Sequence, residues 1–462
     1  MPTYKTSLFL FRRDLRIFDN SALLEALRVS EKVITGFIFD PRQVQPHPYR
    51  SEPALQFMLE SLDDLKQQLH LAGGRLALFY GTPEAVIRDL YGQEAIQAVF
   101  VNRDYTPFSR LRDSRMSAVC EELGITLTIL PDALLNEPES ALKQDGSMYK
   151  VFTPFYQHAR QFPVALPRAQ KPGSYLAIDC AQIGDELFSP PTVMPDVPKG
   201  GRQQALQLLE RIESLQDYQQ DRDYPFKNAT SRLSAHLKFG TCSVREVHYA
   251  VTRQHSPDHP LLRELYWRDF FTHIAFHFPN VFGHAFLEKY AHLQWDNRPD
   301  YFHAWCEGRT GFPIVDAGMR ELNVTGFMHN RVRMITASFL VKDLHIDWRW
   351  GERYFAQHLV DYDPCVNNGN WQWAASTGCD AQPYFRIFNP WLQQKKFDPD
   401  CRYIFHWLPE LQSIPVEEIH RWYQFRSDIG YPAPLVDHAR ESRIAKQRYQ
   451  INTVSRQQDL FS

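Results

Sequence analysis

The chain has 462 residues, 44% of them hydrophobic and 23% charged, with a net charge of -3. This is the balance of a globular protein with a large interior and two or three domains, and it excludes a disordered chain and one coated in positive charge. No stretch reaches the length of a membrane span and the N-terminus lacks a leader pattern, so a cytoplasmic protein is expected, with any nucleic-acid site confined to a local patch.

Residues 1–130 alternate short apolar runs with amphipathic segments. SLFLF (7–11), KVITGFIFD (32–40), RLALFYG (75–81), AIQAVFVN (95–102) and ITLTIL (125–130) read as buried strands. The stretch EPALQFMLESLDDLKQQLHLAGG has the 3.6-residue period and the terminal glycine of a helix. This alternation predicts a Rossmann-like α/β domain on a five-stranded parallel sheet, which binds ligands at the carboxyl ends of its strands. No GxGxxG follows the first strand; FRRDLR stands there instead, so a dinucleotide dehydrogenase has no support.

From 131 to 200 the periodicity fades and ten of the chain's 31 prolines accumulate, which predicts an interdomain linker. From 201 to 462 the pattern is helical almost throughout, which predicts a large all-α domain. All ten tryptophans lie after residue 266, so the two ends of the chain do different work. The seven cysteines are widely spaced and form no CxxC pair, which suggests reduced thiols and no metal site.

Several stretches of the helical part carry chemistry. Thr230, Ser231, Arg232 and Ser234 stand just ahead of a helix start, where hydroxyls, free N–H groups and a guanidinium would hold a phosphate, unless Thr-Ser serves only as an N-cap. Glu264, Trp267, Arg268 and Phe271 share one helix face. They form either the wall of a pocket for a flat polar ring or an intrahelical ion pair with packing around it.

Asn330 and Met334 lie one turn apart, and Arg331 and Arg333 point elsewhere, the first expected to face outward toward phosphates. Asp361 and Asp363 precede the segment NNGNWQWAASTG, whose local propensity offers little reason for two indoles, Trp371 and Trp373. Acids beside so buried-looking a segment need cationic partners, for which Arg333 is a candidate. Arg386, Lys395 and Lys396 interleave with aromatics, as in sites for single-stranded or opened nucleic acid.

FRRDLRIFDN, TSRLS, ELYWRDFF, GFPIVDAGMR, HNRVRMITASFLVKD, DWRWGERYF, NNGNWQWAAS and FRIFNP occur in this order along the whole chain, which therefore resembles the photolyase/cryptochrome family. The resemblance implies an N-terminal α/β domain, a helical domain holding FAD, and light-driven electron transfer to a dimer in UV-damaged DNA. It also implies a monomer. By the same resemblance Tyr218, Thr230, Ser231, Arg232, Leu233, Ser234 and Arg268 match the FAD-binding run, and Arg333, Asp361, Asp363 and Asn367 match groups around the isoalloxazine. Asn367 would sit by the redox-active nitrogen, where a neutral amide can rotate to accept or donate.

Trp295, Trp348 and Trp371 match the tryptophan chain that carries electrons to the flavin. Glu264, Trp267, Asn330, Met334 and Trp373 match a pocket for cyclobutane pyrimidine dimers, with Arg268, Phe271, Arg331 and Arg386 as further DNA contacts. Histidines would stand at 330 and 334 in (6-4) enzymes, whose chemistry needs a proton. A class I cyclobutane pyrimidine dimer photolyase is therefore expected ahead of a cryptochrome-type photoreceptor or a (6-4) enzyme. For an antenna chromophore, His47 matches a folate contact while Phe108, Ser109, Phe282 and Gly283 depart from that pattern. A deazaflavin, a flavin or a folate stays open.

Overall fold

A computed structural model describes residues 2–169, 174–178, 193–424 and 429–459. The five expected strands form, as β1 (Tyr4–Phe11), β2 (Ser30–Phe39), β3 (Leu76–Tyr80), β4 (Ala98–Asn102) and β5 (Thr126–Leu130). All pairings are parallel, in the order β3-β2-β1-β4-β5. Alternate side chains of the central strand go to opposite faces. Phe9 and Phe11 enter one core with the helices Ser21–Val29 and Glu52–Leu71, while Leu8 and Leu10 enter another with Pro83–Glu94 and Pro107–Leu123. Each of these helices opens on a side-chain cap, Asn20, Ser51, Thr82 and Thr106 in turn. The strand order reverses between β1 and β4, so the loops that follow them frame the crevice where a ligand fits.

The 131–169 stretch is more than a tether. Its helix Phe152–Ala159 packs Phe152, Phe155 and Tyr156 into a core with Tyr266, Phe270 and Phe271 of the helix Pro260–His277. Asp269 of that helix accepts from the amides of Leu135 and Asn136 at 2.9 and 3.0 Å. Burial pushes its carboxyl up to about 7. Of the expected linker, residues 170–173 and 179–192, Cys180 among them, lie outside the described residues.

The helical part follows the 3.6-residue pattern, with helices at Arg202–Glu210, Val244–Gln254, Pro260–His277, Pro313–Thr325, Asn330–Lys342 and Trp348–His358. One further helix, Pro364–Ala375, runs through the asparagines and glycines of NNGNWQWAAS. Its ends explain it. Asp363 caps it, accepting from the amides of Cys365 and Val366, Pro364 occupies the first turn, and Ser376 closes it in the left-handed conformation at φ 62°.

The glycines serve packing. A Cβ on Gly369 would lie 2.1 Å from the Phe271 ring, and one on Gly351 would lie 2.1 Å from the Trp371 ring. Tertiary contact therefore overrides weak propensity here. No helix among the described residues is long and apolar enough to cross a membrane.

Candidate functional site

The segment 218–240 folds as a short helix, a loop and the helix Ser234–Phe239. Leu233 stands at the N-cap, and no side chain caps this helix. Thr230 and Ser231 do not cap the helix itself; the Ser231 hydroxyl accepts from the Leu233 amide in a long contact at 3.5 Å. Arg232 takes a left-handed φ of 52°, which turns the chain sharply and leaves its guanidinium exposed near Asn228, whose amide oxygen accepts from Nε at 2.8 Å. An uncapped helix start beside the Thr230 and Ser231 hydroxyls and a guanidinium could hold phosphate oxygens. Tyr218 is buried beneath Arg222, and burial with the nearby Glu264 charge raises its phenol pKa.

Opposite stands the start of the helix Asn330–Lys342. His329 accepts from the Arg331 amide through Nδ1, so its proton sits on Nε2, which is buried without a partner. Burial lowers this imidazole to about 4, so it is a neutral donor. Arg331 differs from expectation. It turns inward, pairs with Asp223 at 2.8 Å, lies over the Phe397 ring, and leaves Nε unpartnered. The acid holds it away from outside phosphates. Two buried donors without partners, facing the same charged surroundings as Arg232, fit an anionic ligand in the helical domain, and a flavin dinucleotide supplies such acceptors.

Arg333 is the partner of Asp361, in a two-pronged pair at 3.2 and 2.9 Å, and its Nε donates to the Met328 carbonyl at 2.7 Å. Asp363 caps the Trp371 helix and is bonded by Arg13 from the loop after β1. Arg13 and Lys238 hold its carboxyl down at about 2 against the effect of burial. Asn367 donates through Nδ2 to the Glu352 carbonyl at 3.1 Å, which leaves its amide oxygen as the free group. The rotation that an isolated asparagine allows would cost this bond, about 1 kcal/mol, so the amide is set as an acceptor. The Glu352 carboxyl is bonded by Asn368, and burial pushes it up to about 7.

The face Glu264, Trp267, Arg268, Phe271 does not behave as one set. Glu264 is bonded by Arg222 rather than by Arg268. Arg268 donates to the carbonyls of Ala133 and Leu237, at 2.6 and 3.3 Å, and so joins three segments instead of reaching DNA. Phe271 is a correction too: Gly369 lets it bury to 4% exposure in the core, out of reach of any ligand at the surface. Trp267 is half-buried and stacks on Phe152 at 3.6 Å, within 7° of parallel. Asn330 is exposed and Met334 half-buried, one turn apart, and neither carries a titratable proton. Trp373 is half-buried with Phe388 nearby at 6.4 Å, and Arg386, Lys395 and Lys396 are exposed.

The three tryptophans of the expected chain run from interior to surface. Trp371 and Trp348 are buried in one core and the half-exposed Trp295 packs at its edge. The two indoles of NNGNWQW lie on different sides of their helix, as a two-residue step requires. Sequence reasoning missed Trp305, which is fully buried 6.2 Å from Trp371 with Nε1 bonded to the Thr336 carbonyl. It also missed Arg222, Glu352 and Arg13. Of these only Arg13 carried a signal, its place in FRRDLR where a phosphate loop would otherwise stand.

On the α/β side, Arg12, Arg13, Asn102, Asp104 and Asp132 line a cleft at the carboxyl ends of β1 and β4. His47 is half-buried and contacts the Gln43 carbonyl, Phe108 lies under Arg42, and Ser109 is buried against Asp104 and Thr106.

Comparison with known proteins adds a second line. Residues 7–172 match the family model described as DNA photolyase, and residues 261–451 match the FAD binding domain of DNA photolyase. The deoxyribodipyrimidine photo-lyases of Alkalihalophilus pseudofirmus and Vibrio cholerae are 38% and 39% identical. The matches cover 94% and 95% of this chain and 96% and 98% of those proteins. The crystal structure of an archaeal photolyase from Sulfolobus tokodaii with two FAD molecules superposes with a TM-score of 0.88. It is 44% identical and the match covers 96% of this chain and 99% of that one.

Proposed function

The chain belongs to the DNA photolyase family, and from that premise we propose that it splits cyclobutane pyrimidine dimers in UV-damaged DNA by light. Bound FAD, reduced and photoexcited, would lend the electron that opens the dimer and take it back once the two pyrimidines separate. The chain's own residues do the rest. Thr230, Ser231, Arg232 and the amides from Ser234 bind the diphosphate, with His329 as a neutral donor. The Arg333–Asp361 pair and Asp363 hold the ring system, and Asn367 accepts from its central nitrogen. Trp295, Trp348 and Trp371 would carry an electron inward to oxidised flavin and so bring it to the reduced form before repair begins. Glu264, Trp267, Asn330, Met334 and Trp373 receive the flipped dimer.

The observation that carries this substrate is the proton inventory of the pocket mouth. Asn330 and Met334 offer no acid, and the adjacent His329 is buried, neutral and tied by Nδ1. Electron transfer alone suffices for a cyclobutane dimer, whereas a (6-4) product needs a proton donor. We also place a second chromophore, a flavin, in the cleft after β1 and β4, supported by the second FAD of the Sulfolobus tokodaii relative. The enzyme acts as a monomer in the cytoplasm, where its six described free cysteines stay reduced.

Purified protein with reduced FAD is expected to remove dimers from irradiated DNA under blue light and not in darkness, with flavin released on denaturation. Unchanged dimer content after illumination would sink the repair reading and leave a light sensor. Damaged-DNA affinity should fall roughly 100-fold between 50 and 200 mM salt if about four phosphates are neutralised. Arg386→Gln should reduce the salt slope by about one. A flat affinity in a filter-binding titration would contradict the patch of Arg386, Lys395 and Lys396.

A further inference from the structure

We infer that Arg13, from the α/β domain, is a positioning residue for the flavin: it fixes the ionised Asp363 that the helical domain turns toward the ring system. The inference rests on FAD occupying the helical domain.

Every nitrogen of this guanidinium is committed. One terminal nitrogen donates to Asp363 and the other to Asp104 at 3.2 Å, while Nε donates to the Lys238 carbonyl at 3.2 Å. Three segments thereby meet at one side chain: the end of β4, the helix that follows the phosphate run, and the cap of the Trp371 helix. Asp363 is shared in the same way. One oxygen takes Arg13, and the other takes the amides of Cys365 and Val366. A guanidinium is suited to this because its fork is planar and always charged.

Backbone packing supports the same junction independently. Gly240, at φ 65°, ends the helix Ser234–Phe239 where a Cβ would lie 2.2 Å from the Arg13 carbonyl oxygen and 2.5 Å from Asp14 Cα. The Leu15 amide donates to the Phe239 carbonyl at 3.0 Å. The FRRD loop is therefore seated on the helical domain by main chain, and Arg13 projects from a fixed base. Arg13 also lines two clefts, one within the α/β part with Asp14 and Asn102, and one where that part meets Arg268 and Cys365 of the helical part.

The other cations around Asp363 act on it more weakly and through charge alone. Lys238, pushed down to about 8 by burial and by Arg13, is still protonated in acid, Arg268 is bound to backbone carbonyls, and burial raises the Cys365 thiol. Asp104 is a competing acid rather than a donor, and the neighbouring Tyr362 is a phenol with its pKa raised by burial. Without Arg13, the largest influence opposing burial is lost and the Asp363 carboxyl rises. A carboxyl depressed in the folded state contributes above its unfolded value and loses that contribution as pH falls through its folded value. Removing Arg13 moves that loss to higher pH.

The test is FAD retention by the full chain as pH is lowered, followed by flavin absorbance after gel filtration. Arg13→Gln should release FAD at least one pH unit above wild type, and Arg13→Lys should fall between the two. On an Asp363→Asn background, Arg13→Gln should add no further pH dependence, because the group it acts through no longer titrates. An unchanged release profile in Arg13→Gln, or an equal effect with and without Asp363, would overturn the assignment and leave Arg13 a domain clamp. If Arg13→Gln does not fold, the Arg13→Lys profile decides: a raised midpoint supports the assignment, an unchanged one rejects it. Wild-type protein that binds no added FAD would reject the cofactor reading itself.

Discussion

Trp371→Phe should abolish light-driven reduction of oxidised flavin, slowing it at least about 100-fold, while chemically pre-reduced protein still repairs dimers at close to its normal rate. The reasoning starts from oxidation chemistry: an indole gives up an electron far more readily than a phenyl ring, and a hundredfold slowing needs only about 2.7 kcal/mol of added barrier. Packing allows the experiment. Trp371 is buried against Phe355 at 4.9 Å and Trp305 at 6.2 Å. A phenyl ring leaves a small cavity there, a loss of about 1–3 kcal/mol that a chain of this size survives. Transient absorption with and without dithionite separates the two activities. Equal loss of photoreduction and repair would show that the substitution had damaged the flavin site instead of the electron path.

The second large effect concerns the cofactor's grip. Arg333→Met should weaken FAD binding by roughly 30- to 1,000-fold, about 2–4 kcal/mol. It strips Asp361, whose side chain is 4% exposed, of its cation. A buried carboxylate left alone costs about 3–5 kcal/mol, and the 23% exposure of Arg333 moves the figure to the lower part of that range. The double variant Arg333→Met/Asp361→Asn should recover part of the loss, since the orphaned charge goes with its partner. Equilibrium dialysis with FAD checks this, and an affinity within threefold of wild type would remove the pair from the site.

What could be read in advance followed from periodicity. The apolar runs marked all five strands to within a few residues, because the central strands of a parallel sheet are covered on both faces; the edge strand β5, expected to be buried, is instead partly exposed, with Ile129 at 39%. The 3.6-residue repeat marked the long helices. The helix Pro364–Ala375 was hidden, because apart from the local Asp363 cap its stability comes from distant side chains that pack against Gly351 and Gly369. Asp361 with Arg333 was legible as a buried acid needing a cation. Arg331, Arg268 and Phe271 were misplaced for one reason: helix spacing gives a direction, and partners from distant segments decide whether that direction meets solvent. Asp223 turned Arg331, two carbonyls claimed Arg268, and the missing side chain at Gly369 buried Phe271.

The junction of the FRRD loop with Asp363 joins residues 350 positions apart, and Ser51 with the Leu359 carbonyl spans another 308. During synthesis the α/β domain can complete its sheet early, yet the wall of the flavin site has no partner for it until the chain beyond residue 363 has emerged. At about 5–20 residues per second, the 350 residues between Arg13 and Asp363 take roughly 20–70 s. Cofactor capture is thus a late folding event, closing a very long loop after local structure is complete. The nascent chain must keep the charged loop of its first domain soluble, and free of wrong partners, for most of its own translation time.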